Sequence, residues 1–401
     1  MYRSVTPDTP LHGTGHGGDM PGNHPDHSDT LSAPSMNTKK MKPNIVFLVM
    51  SAVGKPETVD QLARSLAPHT VLVHHDFSQT PDFVLTAPNV RFVPNPKRTG
   101  WAFFGFVDGI FHSMKYALAN LEFDYLQLLS PSCLPIKPME AFEAHISGRE
   151  EAHFDCIDLF ADQDALMSVG FRALTPEKSF RHRVVRRLGD AYFGASSGRR
   201  DEAGIWLHSG GKKSILALIA LCTFKALSRP SIGQHIFDEK FKPYYGSTWF
   251  GASRHVVAAM LEKFMHPGVR DYFSQLCIAD EFLIPTLLMH VAPAKGPMNH
   301  FIQRFDQAHP GRIEDKDMER LKTVPAFFAR KFPDDPAAQI RIRVLAELAG
   351  SGPLAQSPGT ASGKPQDSNA SAPGATALAT ASQPADGNFL AGFFGQGKVA
   401  Q

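Results

Sequence analysis

The feature that most constrains the fold is a series of short apolar runs that alternate with helical patterns in the first half of the chain. The first run, NIVFLVM (Asn44 to Met50), is continuously apolar, which is typical of a strand buried on both faces of a sheet. Helical spacing follows over Lys55 to Leu66, and HTVLVHHD (His69 to Asp76) predicts a second strand. VRFVP, a helix over Phe104 to Leu121 and the strand DYLQLLS continue the pattern. This order predicts an α/β fold with a mainly parallel central sheet flanked by helices.

Two polar residues follow strands at positions where such sheets bind ligands. Asp76 ends the second predicted strand, and Ser130 opens the turn SPSCLP after the strand DYLQLLS. In open parallel sheets, ligands bind beyond the carboxyl ends of the strands. Both residues are therefore candidates for binding a substrate.

The two ends of the chain differ in composition from the middle. Residues 1–41 are polar and rich in Gly, Pro and His, and residues 343–401 are rich in Ala, Ser, Gly and Pro. Such segments bury too little apolar surface to offset the entropy of ordering them. We therefore predict disordered tails on either side of one folded region, 42–342.

Composition limits the cellular setting and the partners. The formal net charge is +2, so no overall field favours nucleic acid as a partner. The four cysteines form no C-x-x-C pair and no zinc-type spacing, which fits a reducing compartment. The apolar run Ser214 to Leu227 contains Lys225 and is shorter than the roughly 20 residues of a membrane span. Because a secretory signal is also missing, we predict a cytoplasmic protein.

A basic helical pattern, FRHRVVRRL (Phe180 to Leu188), has two interpretations. Its four arginines, Arg181, Arg183, Arg186 and Arg187, fit a solvated helix face. They would equally attract an anionic membrane surface. The second interpretation predicts peripheral contact with the inner face of the membrane.

An acidic pair opens an otherwise apolar helix at ADEFLIPTLLMH. Asp280 and Glu281 would lie at the positive end of that helix, where carboxylates commonly act as caps. Glu281 also precedes Phe282, Leu283 and Ile284, and partial desolvation there would favour a general base. Capping and catalysis both remain open at this point.

Aromatic residues and a glycine turn precede this helix in YYGSTWFGAS. Tyr245 and Trp249 are either core aromatics or surfaces on which a sugar ring stacks. Gly246 and Ser247 predict a turn where the backbone closely approaches a ligand.

Cations among phenylalanines suggest an anion site near the end of the folded region. In FFARKF, either Arg330 and Lys331 both point to solvent, or one of them points inward to a phosphate. Arg312, which follows His309 and Pro310, is a second candidate.

Motifs for other chemistries are weak or missing. Asp162 and Asp164 form a D-x-D triplet, a common chance pattern, and DKD (Asp315 to Asp317) predicts the start of a helix. The sequence has no P-loop, no dinucleotide-binding G-x-G-x-x-G after the first strand, no H-E-x-x-H and no G-x-S-x-G, which argues against the enzyme classes that use them.

Taken in order, these segments resemble the Core-2/I-branching β-1,6-N-acetylglucosaminyltransferase family, which also contains the peptide O-xylosyltransferases. The resemblance spans roughly Asn44 to Asp335 and is closest to a bacterial type of member. The segments that carry it are VLVHHDFS, GWAFF, LQLLSPSCLPIKP, YYGSTWFGASRHVV, ADEFLIPTLL and FFARKF. The sequence departs from the family at Pro131, where the family usually has Gly, and at Cys133, where it usually has Asp.

The resemblance implies a GT-A-like glycosyltransferase fold, with a nucleotide-sugar half over 42–140 and an acceptor and catalytic half over 141–342. It implies an inverting, metal-independent transferase without cofactor. The implied roles are a catalytic base at Glu281, donor binding by Asp76, Ser130, Arg312 and Lys331, and acceptor binding by Tyr245, Gly246, Ser247 and Trp249.

The expected reaction moves GlcNAc from UDP-GlcNAc to a hydroxyl of a glycan or glycoconjugate, as in polysaccharide biosynthesis. Two alternatives stay open. One is a UDP-xylose-dependent transferase that resembles the peptide O-xylosyltransferases. The other is a catalytically silent, glycan-binding relative, which Pro131 and Cys133 favour.

Overall fold

The computed structural model describes most of the chain between its two tails. The described residues are 42–350 without 101–102, 149, 275, 277, 293, 303–304 and 307–308, and with only short pieces of 162–235, namely 180, 183–184, 187, 199–200, 206–207, 215–216, 219–220 and 223. Residues 1–41 and 351–401 lie outside the described residues, as do Asp162 and Asp164, so disorder of the tails stays a prediction there. The predicted start of the second tail at 343 is wrong, because a helix over Gln339–Glu347 buries Val344 and Leu345 in the core.

Short strands are spread along the whole described region. In chain order they are β1 (Ile45–Ser51), β2 (Thr70–His75), β3 (Val90–Phe92), β4 (Tyr125–Leu129), β5 (Leu134–Pro135), β6 (Ala152–His153), β7 (Cys156–Asp158), β8 (Arg199–Arg200), β9 (Trp206–Leu207), β10 (Tyr244–Gly246), β11 (Gly251–Ser253), β12 (Lys295–Gly296), β13 (His300–Ile302), β14 (Phe305–Asp306), β15 (His309–Pro310) and β16 (Phe328–Arg330).

Helices connect and cover these strands. They are α1 (Pro56–Ser65), α2 (Phe104–Asn120), α3 (Met139–Ile146), α4 (Arg254–Met265), α5 (Pro267–Ser274), α6 (Asp280–Val291), α7 (Met318–Thr323) and α8 (Gln339–Glu347), with a 3-10 turn at Asp315–Asp317. Within the described residues, no helix has the length and apolar character that a bilayer crossing needs.

The central sheet has seven strands in the order β12-β6-β11-β4-β1-β2-β3. The four strands β4, β1, β2 and β3 are parallel, and β11 is antiparallel to both of its neighbours. The structure is therefore α/β with a mostly parallel central sheet, as predicted. Strands from both predicted halves join this sheet, and the assignment of separate roles to 42–140 and 141–342 stays a prediction.

The strand β1 is buried along its whole length because apolar layers cover both faces of the sheet. Its alternate residues belong to two separate clusters: Val46, Leu48 and Met50 to one, and Ile45, Phe47 and Val49 to the other. This alternation follows from the two-residue period of a strand. It confirms the prediction that the run NIVFLVM is covered on both faces.

Helix predictions agree closely with the structure. The helix predicted over Lys55 to Leu66 is α1, and the one over Phe104 to Leu121 is α2. The sequence FDCIDLF (Phe154 to Phe160) predicts a longer strand than the structure has, because only Cys156–Asp158 pairs with a neighbour, the three-residue β10.

The strand order of the central sheet has a reversal point, where open sheets generally leave a crevice at the carboxyl edge. From β1 the chain proceeds to β2 and β3 on one side, then crosses to β4 on the other side. Such a reversal of strand order leaves a gap beyond the carboxyl ends of the two strands that flank it, here β1 and β4. The turn that begins with Ser130 follows β4 directly.

One buried arginine holds the end of the folded region against α1. The side chain of Arg341 is fully buried; its Nε donates to Oε1 of Gln61 at 2.6 Å, Nη1 to the carbonyl of Pro333 at 3.1 Å and Nη2 to the carbonyl of Thr58 at 3.3 Å. The Thr58 hydroxyl donates to Asp334 at 2.7 Å. Burial lowers the pKa of Arg341 to about 10, while Asp334 acts in the opposite direction. These bonds fix the chain just after β16.

We predict that Arg341→Met lowers the free energy of unfolding by about 3 kcal/mol or more, because it leaves several buried acceptors without donors. The matched control is Arg343→Met on the same helix. Arg343 pairs with Asp315 and Glu347 at the surface, and such pairs contribute about 1 kcal/mol or less. Urea denaturation monitored by circular dichroism measures both variants, and similar losses in the two would contradict the role of Arg341.

Buried histidines make stability depend on pH. Burial lowers the pKa of His74 and of His153 from 6.5 to about 4, and nearby His112 and His145 respectively act in the same direction. Between these two pH values the unfolded chain binds protons that the folded chain does not. With respect to these two histidines, the free energy of unfolding is highest above about pH 6.5. It decreases as the pH falls toward 4, by on the order of 3 kcal/mol for each histidine.

We expect His153→Gln to flatten this pH dependence, because the variant loses one of the groups whose pKa differs between the folded and unfolded chain. The matched control is His266→Gln, at an exposed position. Thermal unfolding measured from pH 7 to pH 4 gives the slopes. An unchanged slope in His153→Gln would show that His153 is not the titrating group.

Candidate functional site

The segment YYGSTW lies at the carboxyl edge of the sheet because β11 runs antiparallel to β4. Gly251 pairs with Gln127, and the amide of Leu128 donates to the carbonyl of Phe250 at 2.9 Å. Residues that precede β11 therefore lie beside the end of β4, where the turn after Ser130 begins. The predicted acceptor segment and the predicted donor turn thus share one edge of the sheet.

Gly246 lies where two segments of the chain, 155–156 and 246–247, approach each other closely. A Cβ added to Gly246 would lie 2.1 Å from the carbonyl oxygen of Asp155 and 2.9 Å from the Cα of Cys156. The amide of Ser247 donates to the same Asp155 carbonyl at 3.3 Å, and the Ser247 hydroxyl accepts from the amide of Trp249 at 3.1 Å. The close approach inferred from the sequence is therefore an approach to another segment of the chain.

The acidic pair ties the start of α6 to the aromatic segment. The residue that precedes the helix is Ala279, and no side chain caps the helix there. Asp280 instead accepts from the Thr248 hydroxyl at 2.7 Å, and Oε2 of Glu281 accepts from the Tyr245 hydroxyl at 2.6 Å. The capping interpretation is therefore wrong in its detail. The carboxylates lie at the positive end of the helix but bond to side chains outside it.

A basic residue lies against the Trp249 ring. The guanidinium carbon of Arg330 is 4.5 Å from the centre of the Trp249 ring, and the His300 ring centre is 5.7 Å from the same ring. Nε2 of His300 is 3.1 Å from Sγ of Cys133, which accepts from the amide of Ser130 at 3.2 Å. A continuous set of contacts therefore joins the aromatic segment to the turn after β4.

The ionisable groups of this cluster differ in their pKa shifts and therefore in their charge at neutral pH. Burial lowers the pKa of Arg330, and Cys133 and Glu281 oppose that shift. Burial and, to a smaller extent, the charge of Arg330 together lower the pKa of His300 to about 3. Burial also raises the pKa of the Cys133 thiol, which Arg330 opposes. At neutral pH the imidazole and the thiol are therefore uncharged, and Arg330 is a cation whose charge interacts with that of Glu281.

The backbone that carries Arg312 runs beside the backbone that carries Lys331, the other predicted cation. The amide of Ile313, which follows Arg312, donates to the carbonyl of Lys331 at 2.9 Å, and the amide of Phe332 donates to the carbonyl of Ser132 at 2.9 Å. Both Arg312 and Lys331 are exposed. Of the two cations in ARKF, Arg330 is the one that points inward, and Lys331 faces the surface beside the turn after β4.

Asp76 organises the loop that follows β2. The side chain is buried: Oδ1 accepts from the amide and the hydroxyl of Ser78, and Oδ2 accepts from Gln79 at 2.8 Å and from the amide of Thr99 at 2.6 Å. Burial alone would raise the pKa of Asp76, but these hydrogen bonds outweigh it and hold the pKa well below its usual range. The carboxylate therefore orders the residues around Thr99.

Two contributors to the cluster carried no usable signal in the sequence. His300 and Thr248 have no local motif, and their neighbours come from distant parts of the chain. Arg330 was considered as a candidate together with Lys331, and the sequence did not separate the two.

Metal ligands are scarce in the described part of the chain. No group of three or more His, Cys, Asp or Glu residues there could hold a metal ion. DKD forms the 3-10 turn before α7, as its predicted helix start implied, and Glu314 and Asp317 cap it reciprocally. Of the basic segment, Arg183 and Arg187 are described, and both are exposed. Membrane contact through them stays a prediction.

Comparison with known proteins gives weak matches only. No family model matches the chain, and no curated protein matches it. Among solved structures, the chain is similar to the galactosyltransferase LgtC in complex with donor and acceptor sugar analogs (13% identity, 78% of this chain and 97% of that chain covered, TM-score 0.30). An active-site mutant of LgtC gives 13% identity, 76% and 95% coverage and a TM-score of 0.29.

The bifunctional glycosyltransferase WbbM in its apo form gives 7% identity and a TM-score of 0.31, with 78% of this chain and 51% of that chain covered. TM-scores of this size carry no weight for an activity. The structure itself defines the class as an α/β protein with a mostly parallel sheet and a polar, aromatic cluster at the carboxyl edge of that sheet.

We predict that Gly246→Ala destabilises the protein by about 1–3 kcal/mol, because the new methyl group overlaps the backbone at Asp155. The matched control is Gly268→Ala in α5, where the nearest atoms to an added Cβ, in His266, are 3.6 and 3.7 Å away. Ala in a helix is favoured over Gly, so this control should not lose stability. Chemical denaturation distinguishes the two, and an unaffected Gly246→Ala would contradict the close approach.

Proposed function

We propose that the protein is an inverting glycosyltransferase that uses a UDP-sugar donor and Glu281 as its general base. The observation that supports this most is the hydrogen bond from the Tyr245 hydroxyl to Glu281, in a cluster that reaches Trp249 and the turn after Ser130. It brings a carboxylate, an aromatic wall and the carboxyl edge of a parallel sheet into one place. The family resemblance of the sequence points to the same chemistry.

In the proposed reaction, an acceptor hydroxyl attacks C1 of the donor sugar. Glu281 takes the proton of that hydroxyl while the oxygen–carbon bond forms, and the bond from C1 to the diphosphate oxygen breaks on the opposite face. The electron pair leaves with UDP. Tyr245 orients the carboxylate through its 2.6 Å hydrogen bond, which holds the base in position before the acceptor arrives.

Two cations are proposed to stabilise the leaving diphosphate in place of a metal ion. Lys331 and Arg312 are adjacent through the hydrogen bond between Ile313 and the Lys331 carbonyl, and the following residue bonds to Ser132. This position beside the crevice supports a role in which their charges meet the developing negative charge. Asp76 and Ser130 are proposed to shape the donor side of the same crevice.

The acceptor side is proposed to use Trp249, Ser247, Gly246 and Tyr245. One face of the Trp249 ring contacts Arg330, and the Tyr245 hydroxyl is bonded to Glu281. Tyr245, Gly246 and Trp249 are buried, so they are proposed to support the acceptor position from behind, and the half-buried Ser247 is proposed to contact the glycan directly. UDP-GlcNAc is the proposed donor, and UDP-xylose is the alternative within the same family.

A different function has one specific observation in its favour. Cys133 is fully buried and its thiol contacts Ser130 and His300, so this position offers no carboxylate to a donor. A relative that has lost catalysis but still binds glycans would tolerate this change. The experiment that follows separates the two functions.

We expect the wild-type protein to release UDP from one member of a UDP-sugar panel, and we expect Glu281→Gln to lower that rate about 10²- to 10⁴-fold, the usual contribution of a general base. The matched control is Glu262→Gln on the exposed surface of α4, which should leave the rate unchanged. Release of UDP, measured with and without a chelator, reports the rates, and the chelator should have no effect.

The possible results separate the hypotheses. Full activity in Glu281→Gln would show that Glu281 is not the base. Loss of activity with the chelator would refute metal independence and direct attention to Asp162 and Asp164. A wild-type protein that turns over no UDP-sugar but binds glycans would support the glycan-binding relative instead.

A further inference from the structure

Arg330, the half-buried last residue of β16, has an incompletely bonded guanidinium in the described part of the chain. Its Nε is buried and has no hydrogen-bond partner there, and no ion pair to this guanidinium is found among the described residues. A buried, unpaired donor on a charged group costs free energy. Arg341, which is fully buried, bonds through all three of its nitrogens, whereas Arg330 as a whole residue is half-buried.

The surroundings of Arg330 indicate what would satisfy it. The guanidinium lies against the Trp249 ring, at 4.5 Å, and its two charge neighbours are Cys133 and Glu281. The Cys133 thiol is completely buried and already contacts Ser130 and His300, so that side has no room for a ligand. The side toward Glu281, which is only half-buried, is the one from which a ligand can approach.

We propose that Arg330 binds a carboxylate or phosphate group of the acceptor, so that the acceptor is an anionic sugar. This inference rests on the proposed function, in which Glu281 contacts the acceptor hydroxyl. In a single displacement, the base and the leaving group lie on opposite faces of the reacting carbon. Arg330 lies near the base Glu281 and against Trp249, so it is on the acceptor side and can bind a negatively charged group of the acceptor. The diphosphate lies on the opposite side, toward Lys331 and Arg312.

A planar guanidinium suits this role because it forms paired hydrogen bonds to carboxylate and phosphate oxygens. Contact with an indole ring also keeps the guanidinium plane in place. An anionic group of the ligand would supply the acceptor that Nε lacks. Recognition would then select acidic sugars over their neutral counterparts.

The test measures binding of matched pairs of sugars to the full chain in the presence of UDP. Ligand-observed NMR compares glucuronate with glucose, galacturonate with galactose, and glucose 6-phosphate with glucose. For the preferred sugar, we expect the anionic member to bind about 10- to 100-fold more tightly than the neutral one, the usual effect of a charge-assisted pair. Equal binding within every pair would overturn the inference.

Arg330→Gln should abolish the preference for the anionic member. The matched control is Arg320→Gln, because the Arg320 guanidinium lies 5.0 Å from the Phe301 ring centre in a similar stacked arrangement but at an exposed position. This control should keep the preference. If Arg330→Gln instead weakens UDP binding and leaves the sugar preference intact, Arg330 belongs to the donor site and the inference is wrong.

A second measurement does not depend on folding of the variant. Raising the ionic strength should weaken binding of the anionic sugars to the wild-type chain and leave the neutral sugars unaffected, because salt screens the charge pair. Equal salt effects on both members would overturn the inference. If the preference is present but no UDP-sugar is turned over, the proposed transfer reaction fails while Arg330 remains an anion-binding residue.

Discussion

The antiparallel pairing of β11 with β4 is the constraint on which the candidate site depends. It places the residues before β11 at the carboxyl end of β4, beside the crevice that the reversed strand order leaves open. Gly246 permits the accompanying close approach to Asp155. The hydrogen bonds from Tyr245 and Thr248 then fix the start of α6, so that Glu281 lies at the same edge.

Arg341 and Arg330 differ in how their side chains are used: one is fully bonded within the fold, and the other is suited to bind a ligand. Arg341 bonds to Gln61, Pro333 and Thr58, and its charge is used to fasten α8 and the chain after β16. Arg330 lies at the end of β16 and contacts Trp249 without such bonds in the described residues. Arg341 therefore stabilises the fold, whereas the half-buried Arg330, whose Nε has no hydrogen-bond partner among the described residues, is suited to bind an anionic ligand.

Local patterns were sufficient for the main elements of the fold and for one member of the site. The continuous apolar run of β1 and the helical spacing of α1 and α2 depend only on neighbouring residues, and the predictions for them were confirmed. Glu281 could be selected because it opens an apolar helix. The extent of β7 was missed because its backbone pairing with β10 covers only three residues, and that pairing joins segments far apart in the sequence. His300 was missed because its contacts, Cys133 and Trp249, are far away in the sequence.

By itself, the sequence determined the α/β class, the order of the main strands and helices, and the candidate carboxylate, because periodicity and local chemistry carry that information. Tertiary structure alone decided which cation points inward. Arg330 and Lys331 are adjacent in the chain and equal in formal charge, yet one lies on Trp249 and the other is exposed. The physical reason is that Arg330 is the last residue of β16 and packs against Trp249, a residue distant in the sequence, whereas Lys331 lies beyond the strand at the surface.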